Sequence, residues 1–270
     1  PIKVVAPEGT LVNSTMPIGC FQRMATDHIL VDLIMGAMAQ AIPNKVMADS
    51  CGNNYDFCSG TNLETHPRGG EVNHRQYWGE IVPGGLGARS HSDGITIMSC
   101  NVTNCPIPPL EAQEIEAPML FLERSILPNS EGAGKFRSGF SQRRKWKLAG
   151  YDGIWSHVSQ KSKIPPQGLF GGMPGLNSKW IINEGKEDEH ILQYANGDVI
   201  FLNYGDTITC ITASGGGYGN PLERDMKKVK EDVEMGLVSI ENAENKYGVI
   251  IDPETFEIDY EESEKLRGLK

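Results

Sequence analysis

The chain has 270 residues and a formal net charge of −10, with 31 glycines and 16 prolines. That length suits one large domain or two small ones, and it buries enough surface to need no covalent or metal staples. The acidity disfavours nucleic acid and anionic membranes as main partners, and no apolar run reads as a membrane span.

The cysteines are Cys20, Cys51, Cys58, Cys100, Cys105 and Cys210. None forms a Cys-x-x-Cys pair, which argues against a zinc ribbon or a thioredoxin-type site and favours reduced thiols in a cytoplasmic protein. Glycine and proline are spread along the chain rather than gathered in a linker. They predict many turns and extended, weakly regular segments, with polyproline-II geometry among the options.

Pro1 to Asn13 reads as a short strand over Ile2–Val5, a Pro7-Glu8-Gly9 turn and a second short strand. A start so close to a strand suggests an edge covered by residues removed from, or held outside, this chain. Thr26 to Ile42 is the clearest helix. Ile29, Leu30, Leu33, Ile34, Ala37, Met38 and Ala41 recur at helical spacing, and Pro43 follows. It reads as a core helix with a charged first turn. Asp27 and His28 make a poor metal pair, because adjacent helical residues diverge.

Residues 49–94 are rich in glycine and asparagine and carry His66, His74 and His91. His91-Ser92-Asp93-Gly94 either sets an imidazole beside a carboxylate for acid–base work or forms a plain Asp-Gly turn. Residues 95–122 look extended, interrupted by Cys105-Pro106-Ile107-Pro108-Pro109, which suits neither an interior strand nor a helix. Glu111, Glu114 and Glu116 form a solvated acidic segment or a hard-cation site, and Met119–Glu123 is a strand candidate. Arg143-Arg144-Lys145-Trp146-Lys147 reads as a solvated or salt-bridged face.

Val199 to Ile211 alternates as strand, broken by a turn at Asn203–Asp206. Next comes Ser214-Gly215-Gly216-Gly217-Tyr218-Gly219-Asn220-Pro221. Strand, glycine turn and helix follow in the order of a phosphate loop. However, no Gly-Lys-Ser or Gly-Lys-Thr follows, and Glu223 and Asp225 would repel a phosphate. A packed glycine corner is the better reading, because residues without Cβ let backbones approach closely. Asn220-Pro221 starts a helix over about Leu222–Met235, and Ser239 starts a second that ends at Gly248. Two short strands flank Asp252-Pro253-Glu254 as a hairpin, and a charged, frayed tail begins at Glu261.

Several segments together resemble one family. They are Ala6-Pro7-Glu8-Gly9-Thr10, Gly84-Gly85-Leu86-Gly87-Ala88-Arg89 with Asp93-Gly94, and Ser130-Glu131-Gly132-Ala133-Gly134-Lys135-Phe136-Arg137-Ser138-Gly139. Pro166-Gln167-Gly168-Leu169-Phe170-Gly171-Gly172, Gly215-Gly216-Gly217-Tyr218-Gly219-Asn220-Pro221, Asp232-Val233 and Gly236-Leu237-Val238-Ser239 complete the set. In order and spacing they resemble the C-terminal half of hydantoinase B proteins, relatives of 5-oxoprolinase and of the acetone and acetophenone carboxylases.

The resemblance implies a mixed, β-rich α+β fold: barrel-like sheets leading into a glycine-rich polyproline-II-type bundle, with a few helices. It implies one domain over 1–270, with helical segments and the terminal hairpin at 221–260. It further implies a subunit, inactive alone, of an ATP-dependent complex that hydrolyses or carboxylates a phosphate-activated lactam or ketone, with bicarbonate in the second case. The expected partners are a chain supplying the N-terminal half and a hydantoinase A-like nucleotide-binding subunit. No cofactor is expected on this chain; ATP with magnesium and a divalent transition metal belong to the partners. Where the family often reads Arg-Gly-Gly-x-Gly, this chain has Arg137-Ser138-Gly139-Phe140-Ser141, which argues against a close backbone contact there.

Arg89, His91 and Asp93 are the candidate cavity residues, with Arg89 suited to an anionic intermediate. One alternative is a non-catalytic scaffold bracing the metal-containing half. Another is a stand-alone metal hydrolase built on His66, His74 and His91, whose spacing matches no ligand motif.

Overall fold

The computed structural model describes residues 3–19, 23–52, 54–60, 77–103, 105, 107–117, 119–149, 152–192 and 200–269. Two antiparallel sheets carry the first core. One has the order β2-β1-β5-β8, built from β1 (Asn54–Gly60), β2 (Tyr77–Ile81), β5 (Gly153–Ser159) and β8 (Ile200–Leu202). The other has the order β3-β4-β9-β6-β7, built from β3 (Met119–Ile126), β4 (Gln142–Leu148), β6 (Lys179–Ile182), β7 (His190–Leu192) and β9 (Thr207–Ile211). Trp78 and Trp155 from the first sheet meet Trp146 and Trp180 from the second in a shared core with Leu148, Leu202 and Ile208.

Strand periodicity explains the basic run. On β4, Arg144, Trp146 and Leu148 point inward while Arg143 and Lys145 point outward. Arg143 reaches Glu123 at 3.0 Å and Glu184 at 2.5 Å. Only half of the run is therefore a salt-bridged face. Arg144 is fully buried and bonds Glu80 of the opposite sheet at 2.5 Å.

Beside the sheets, extended glycine-rich segments bond to one another outside any named strand. Gly216 is central: its N–H donates to the Asp49 carbonyl at 2.8 Å, and its carbonyl accepts from Ala88 at 2.9 Å. A Cβ at Gly215 would collide with Leu86, at Gly216 with the Gln167 carbonyl, and at Gly217 with the Ala133 carbonyl. Three consecutive glycines thus touch three different segments, so the stretch is a packed corner. Gly139 makes the same kind of contact with the Ile95 carbonyl. Ser138 beside it is buried, accepting from Gly132 N–H at 2.9 Å and donating to Gly139 O. The close backbone contact that the Arg-Ser-Gly departure argued against is present.

The C-terminal elements form a second core on this glycine layer. Val229 and Val233 of α3 (Met226–Glu234) and Ala243 and Tyr247 of α4 (Ile240–Tyr247) pack with Ala133 and Phe140. Asn220 caps a 3-10 turn at Pro221–Glu223, and Asp225 then caps α3 by accepting from Lys227 N–H at 2.9 Å. The helix expected over Leu222–Met235 is therefore split, because two separate capping side chains, Asn220 and Asp225, start two turns. Ser239 caps α4 and Gly248, at φ 62°, ends it. Ile250–Ile251 (β10) pairs with Ile258–Asp259 (β11) as the expected hairpin.

Three expectations fail. The tail is a helix, α5 (Tyr260–Leu269), not frayed: Ser263 is buried and Arg267 bonds the carbonyls of Tyr247 and Arg224. Residues 95–122 include the helix α2 (Leu110–Glu116), which starts after Pro109; its Glu114 accepts from Phe121 N–H at 2.7 Å. Residues 3–19 form no strand and are held by local bonds such as Gly9 N–H to Asn13 O.

The largest departure is the first helix, α1 (Arg23–Ala39). Among its described side chains, those of His28, Asp32 and Ala39 are buried, whereas Ile29, Leu33, Ile34 and Met38 are exposed. It is not a core helix. An ion pair to Asp32 outweighs the apolar periodicity.

Candidate functional site

The site grows from residues 84–94. Gly85 and Gly87 lie against the backbones of Gly139 and Ala48, so this segment is fixed on both sides. At its end Arg89 N–H donates to Ser92 O at 3.0 Å, closing a tight turn that projects from the glycine layer. Ser90 Oγ donates to the Asn44 carbonyl at 3.0 Å, pinning the turn to the 3-10 turn Pro43–Lys45.

The turn separates the three candidate residues. Arg89 and His91 are exposed. The Nδ1 atom of His91 lies 3.2 Å from Ser90 Oγ. Neither Arg89 nor His91 meets a carboxylate among the described residues. Asp93 points the other way and accepts from Arg137 N–H at 3.0 Å and from both terminal nitrogens of Arg224, at 2.7 and 2.9 Å. The imidazole–carboxylate pair anticipated at His91 and Asp93 is therefore not formed, since Arg224 claims the carboxylate. His66 and His74 lie outside the described residues.

Asp93 belongs to a closed charge network. Arg224 also reaches Asp232 at 2.9 Å, and Asp232 accepts from Arg137 Nε and Nη2 at 2.9 and 2.8 Å. Two arginines thus balance two aspartates. Burial by itself would raise the Asp93 carboxyl, but the hydrogen bonds and charge of Arg224 outweigh it and hold the group below the usual carboxylate range. Burial would likewise favour neutral Arg224, but Asp93 and Asp232 outweigh that and keep it charged.

A second polar cluster lies under α1. Lys161 Nζ sits 3.0 Å from Asp32 Oδ2 and 2.9 Å from Asp49 Oδ2. Ser50 donates to Asp32 through its N–H at 3.2 Å and its hydroxyl at 3.3 Å, and Gln167 N–H donates to Asp49 at 3.0 Å. Lys161 adopts φ 58°, a left-handed backbone that is uncommon for a side-chain-bearing residue. Burial raises the Asp32 carboxyl more than Lys161 lowers it. Cys51 and Cys100 lie close by as buried free thiols, and burial pushes Cys100 up to about 11. These are inert thiols rather than nucleophiles.

Sequence reasoning assigned no site role to Lys161, Arg224 or Asp232, although Asp232-Val233 is one of the family-like segments. Each acts through a partner far along the chain, as with Arg137 and Asp232, 95 positions apart, and no local motif marks such a pair. The exposed Arg89 can receive an anion, since a planar guanidinium with no carboxylate partner among the described residues suits phosphate or carboxylate. Among the described residues no group of three or more His, Cys, Asp or Glu could hold a metal ion. No helix of the described residues is long and apolar enough to cross a membrane.

Comparison with known proteins bears on this geometry. Residues 1–221 match the family model described as hydantoinase B/oxoprolinase. An uncharacterised protein of Methanocaldococcus jannaschii is 34% identical over 99% of this chain and 45% of its own length. The B component of a putative D-/L-hydantoinase from a Pseudomonas species is 31% identical over 99% of this chain and 43% of its own length. The crystal structure of an ATP-dependent caprolactamase from Pseudomonas jessenii matches 98% of this chain and 46% of that chain, with a TM-score of 0.75 at 24% identity. The chain thus spans less than half the length of these relatives.

Proposed function

The chain belongs to the hydantoinase B/oxoprolinase family, and on that premise we propose that it is one component of an ATP-dependent complex that opens a phosphate-activated cyclic amide. The carrying observation is the match along nearly the whole chain to a relative named as a hydantoinase component. The caprolactamase likeness supports the fold. A ketone substrate carboxylated with bicarbonate is the other chemistry that the family resemblance allows. We further read the two sheets and the glycine layer, as one domain, as the barrel-like and polyproline-II parts of the family architecture.

In this reading a hydantoinase A-like partner holds ATP and magnesium, and a chain equivalent to the N-terminal half carries a divalent transition metal. Phosphorylation converts a poor leaving oxygen into a good one, which makes an inert lactam reactive. Arg89 binds the anionic intermediate through its guanidinium fork, and His91 on the same turn supplies or accepts a proton. Asp93 acts as a positioning residue: held by Arg224, it fixes the base of the turn that carries both.

The grip of Arg224 on Asp93 also favours a second reading, in which the chain is a scaffold that lends no residue to the reaction. Kinetics of Arg89→Ala and His91→Ala in the assembled complex separate the two. The catalytic reading expects lost turnover with assembly intact; lost assembly, or no change, supports the scaffold.

A further inference from the structure

We propose that the exposed apolar face of α1 docks the polypeptide corresponding to the other half of the longer relatives, whether carried on the same chain or on a separate one. The proposal rests on the reading above, in which this chain works within a larger complex.

The helix is seated with its polar side inward. Leu33 is 66% exposed, Ile34 53% and Ile29 48%, while Asp32 between them is 6% exposed and His28 2%. A surface helix normally turns its wide apolar stripe to the core. Here Leu30, Val31 and Met35 are only half-buried, while Ile29, Leu33, Ile34 and Met38 face away, and the orientation is fixed. Asp32 is bound by Lys161 and by Ser50, and Lys161 is tied in turn to Asp49 of the glycine layer. Rolling α1 to bury Ile29, Leu33 and Ile34 would leave the buried Lys161 with Asp49 alone and pull Asp32 from its donors, which is strongly unfavourable. The clamp therefore presents the stripe instead of letting it collapse.

Residues 3–19 are apolar at their surface too: Val4, Leu11 and Met16 are each at least 79% exposed. Bonds within 6–13 shape this segment, so it has backbone order without a core of its own. Burying Leu and Ile side chains removes apolar area from water and favours association, so this face suits an apolar, complementary partner.

The relatives indicate the occupant. Two that match this chain end to end are more than twice as long, so a polypeptide of comparable size accompanies this unit in them. A bilayer surface fits poorly. A membrane-surface helix sets lysines and arginines beside its apolar face, whereas α1 has only Arg23 as a basic residue and the chain carries a net charge of −10.

The test uses the chain purified together with its partner polypeptides. Leu33→Glu and Ile34→Glu place charges on the stripe without touching the clamp. The isolated variants are expected to keep wild-type circular dichroism and Tm while binding the partner at least about tenfold more weakly. Hydrogen exchange of residues 26–42 in the wild-type complex gives a readout independent of folding, and protection should rise on assembly. Unchanged affinity with no added protection overturns the proposal. So does a wild-type chain that dimerises through α1 alone, because the occupant is then a second copy. Normal assembly through α1 without ATP-dependent turnover would leave this proposal standing and defeat the functional reading instead.

Discussion

Arg224 grips Asp93 across 131 positions of sequence with both terminal nitrogens, at 2.7 and 2.9 Å. The same guanidinium holds Asp232 of α3. One side chain thus fastens the C-terminal helices to the turn that carries Arg89 and His91.

Removing that side chain leaves two aspartates with less compensation in a buried setting. Arg224→Met is expected to destabilise the protein by about 3–5 kcal/mol, the usual cost of breaking a buried pair. Asp93→Asn should cost less, and Asp93→Asn added to Arg224→Met should cost less than the sum. Denaturant unfolding of the three variants checks this; strictly additive losses would mean that the two residues do not act as a unit.

His157 gives the pH dependence a definite sign. It is buried between Trp155 and Trp180, with ring centroids 4.6 and 5.1 Å away, and neither ring nitrogen has a partner among the described residues. Burial pushes it from 6.5 down to about 4. Between those values the unfolded chain binds a proton that the folded one refuses, so stability falls as the pH drops through this window. The shift corresponds to about 3 kcal/mol. His157→Phe should flatten the slope of stability between pH 6.5 and 4 relative to wild type, as read by chemical unfolding at each pH. An unchanged slope would place the acid sensitivity elsewhere.

Asp93 acts in a lower window. Its carboxyl is held below the usual range, so its contribution is present above the unfolded value and lost as the pH falls through the folded one. Asp93→Asn should therefore reduce the pH dependence below about 4 and leave that between 6.5 and 4 intact.

The glycines separate into two classes by what surrounds them. Gly216→Ala puts a methyl group into the Gln167 carbonyl, and backbone on both sides prevents relaxation. A loss of about 3 kcal/mol or more is expected, in the range of overpacked cores. Gly36→Ala lies in α1 with nothing within 4 Å, and should stabilise by about 0.5–1 kcal/mol. Thermal unfolding distinguishes them; equal tolerance at both positions would contradict the packed glycine corner.

What could be read from the sequence follows from how local each signal is. Ser239 and Gly248 bound α4, and the paired strands around Asp252-Pro253-Glu254 form their hairpin, because caps and turns act over a few residues. The glycine corner was legible for the same reason. The seat of α1 was not. Its periodicity is apolar, but Lys161, far beyond Asp32 in the chain, decides which face turns inward. The site divided in the same way: the Arg89–Asp93 turn was visible, whereas Arg224 diverting Asp93 from His91 is a tertiary contact that no spacing encodes.

Arg89 carries the chemical part of the account. In the assembled complex Arg89→Ala should lower kcat/KM by about 10²–10³, the loss typical of one donor to a developing anion. Fold and assembly should be unchanged, because Arg89 is exposed and makes its turn through backbone. An unaltered kcat/KM would remove it from the site.

The most direct measurement purifies this chain with whatever stays bound, then follows opening of a cyclic amide with and without ATP, and with and without this chain. The account predicts that a large nucleotide-binding polypeptide co-purifies and that turnover requires both ATP and this chain. A chain that is isolated alone and opens the ring without ATP, or a complex that turns over equally well in its absence, would contradict it.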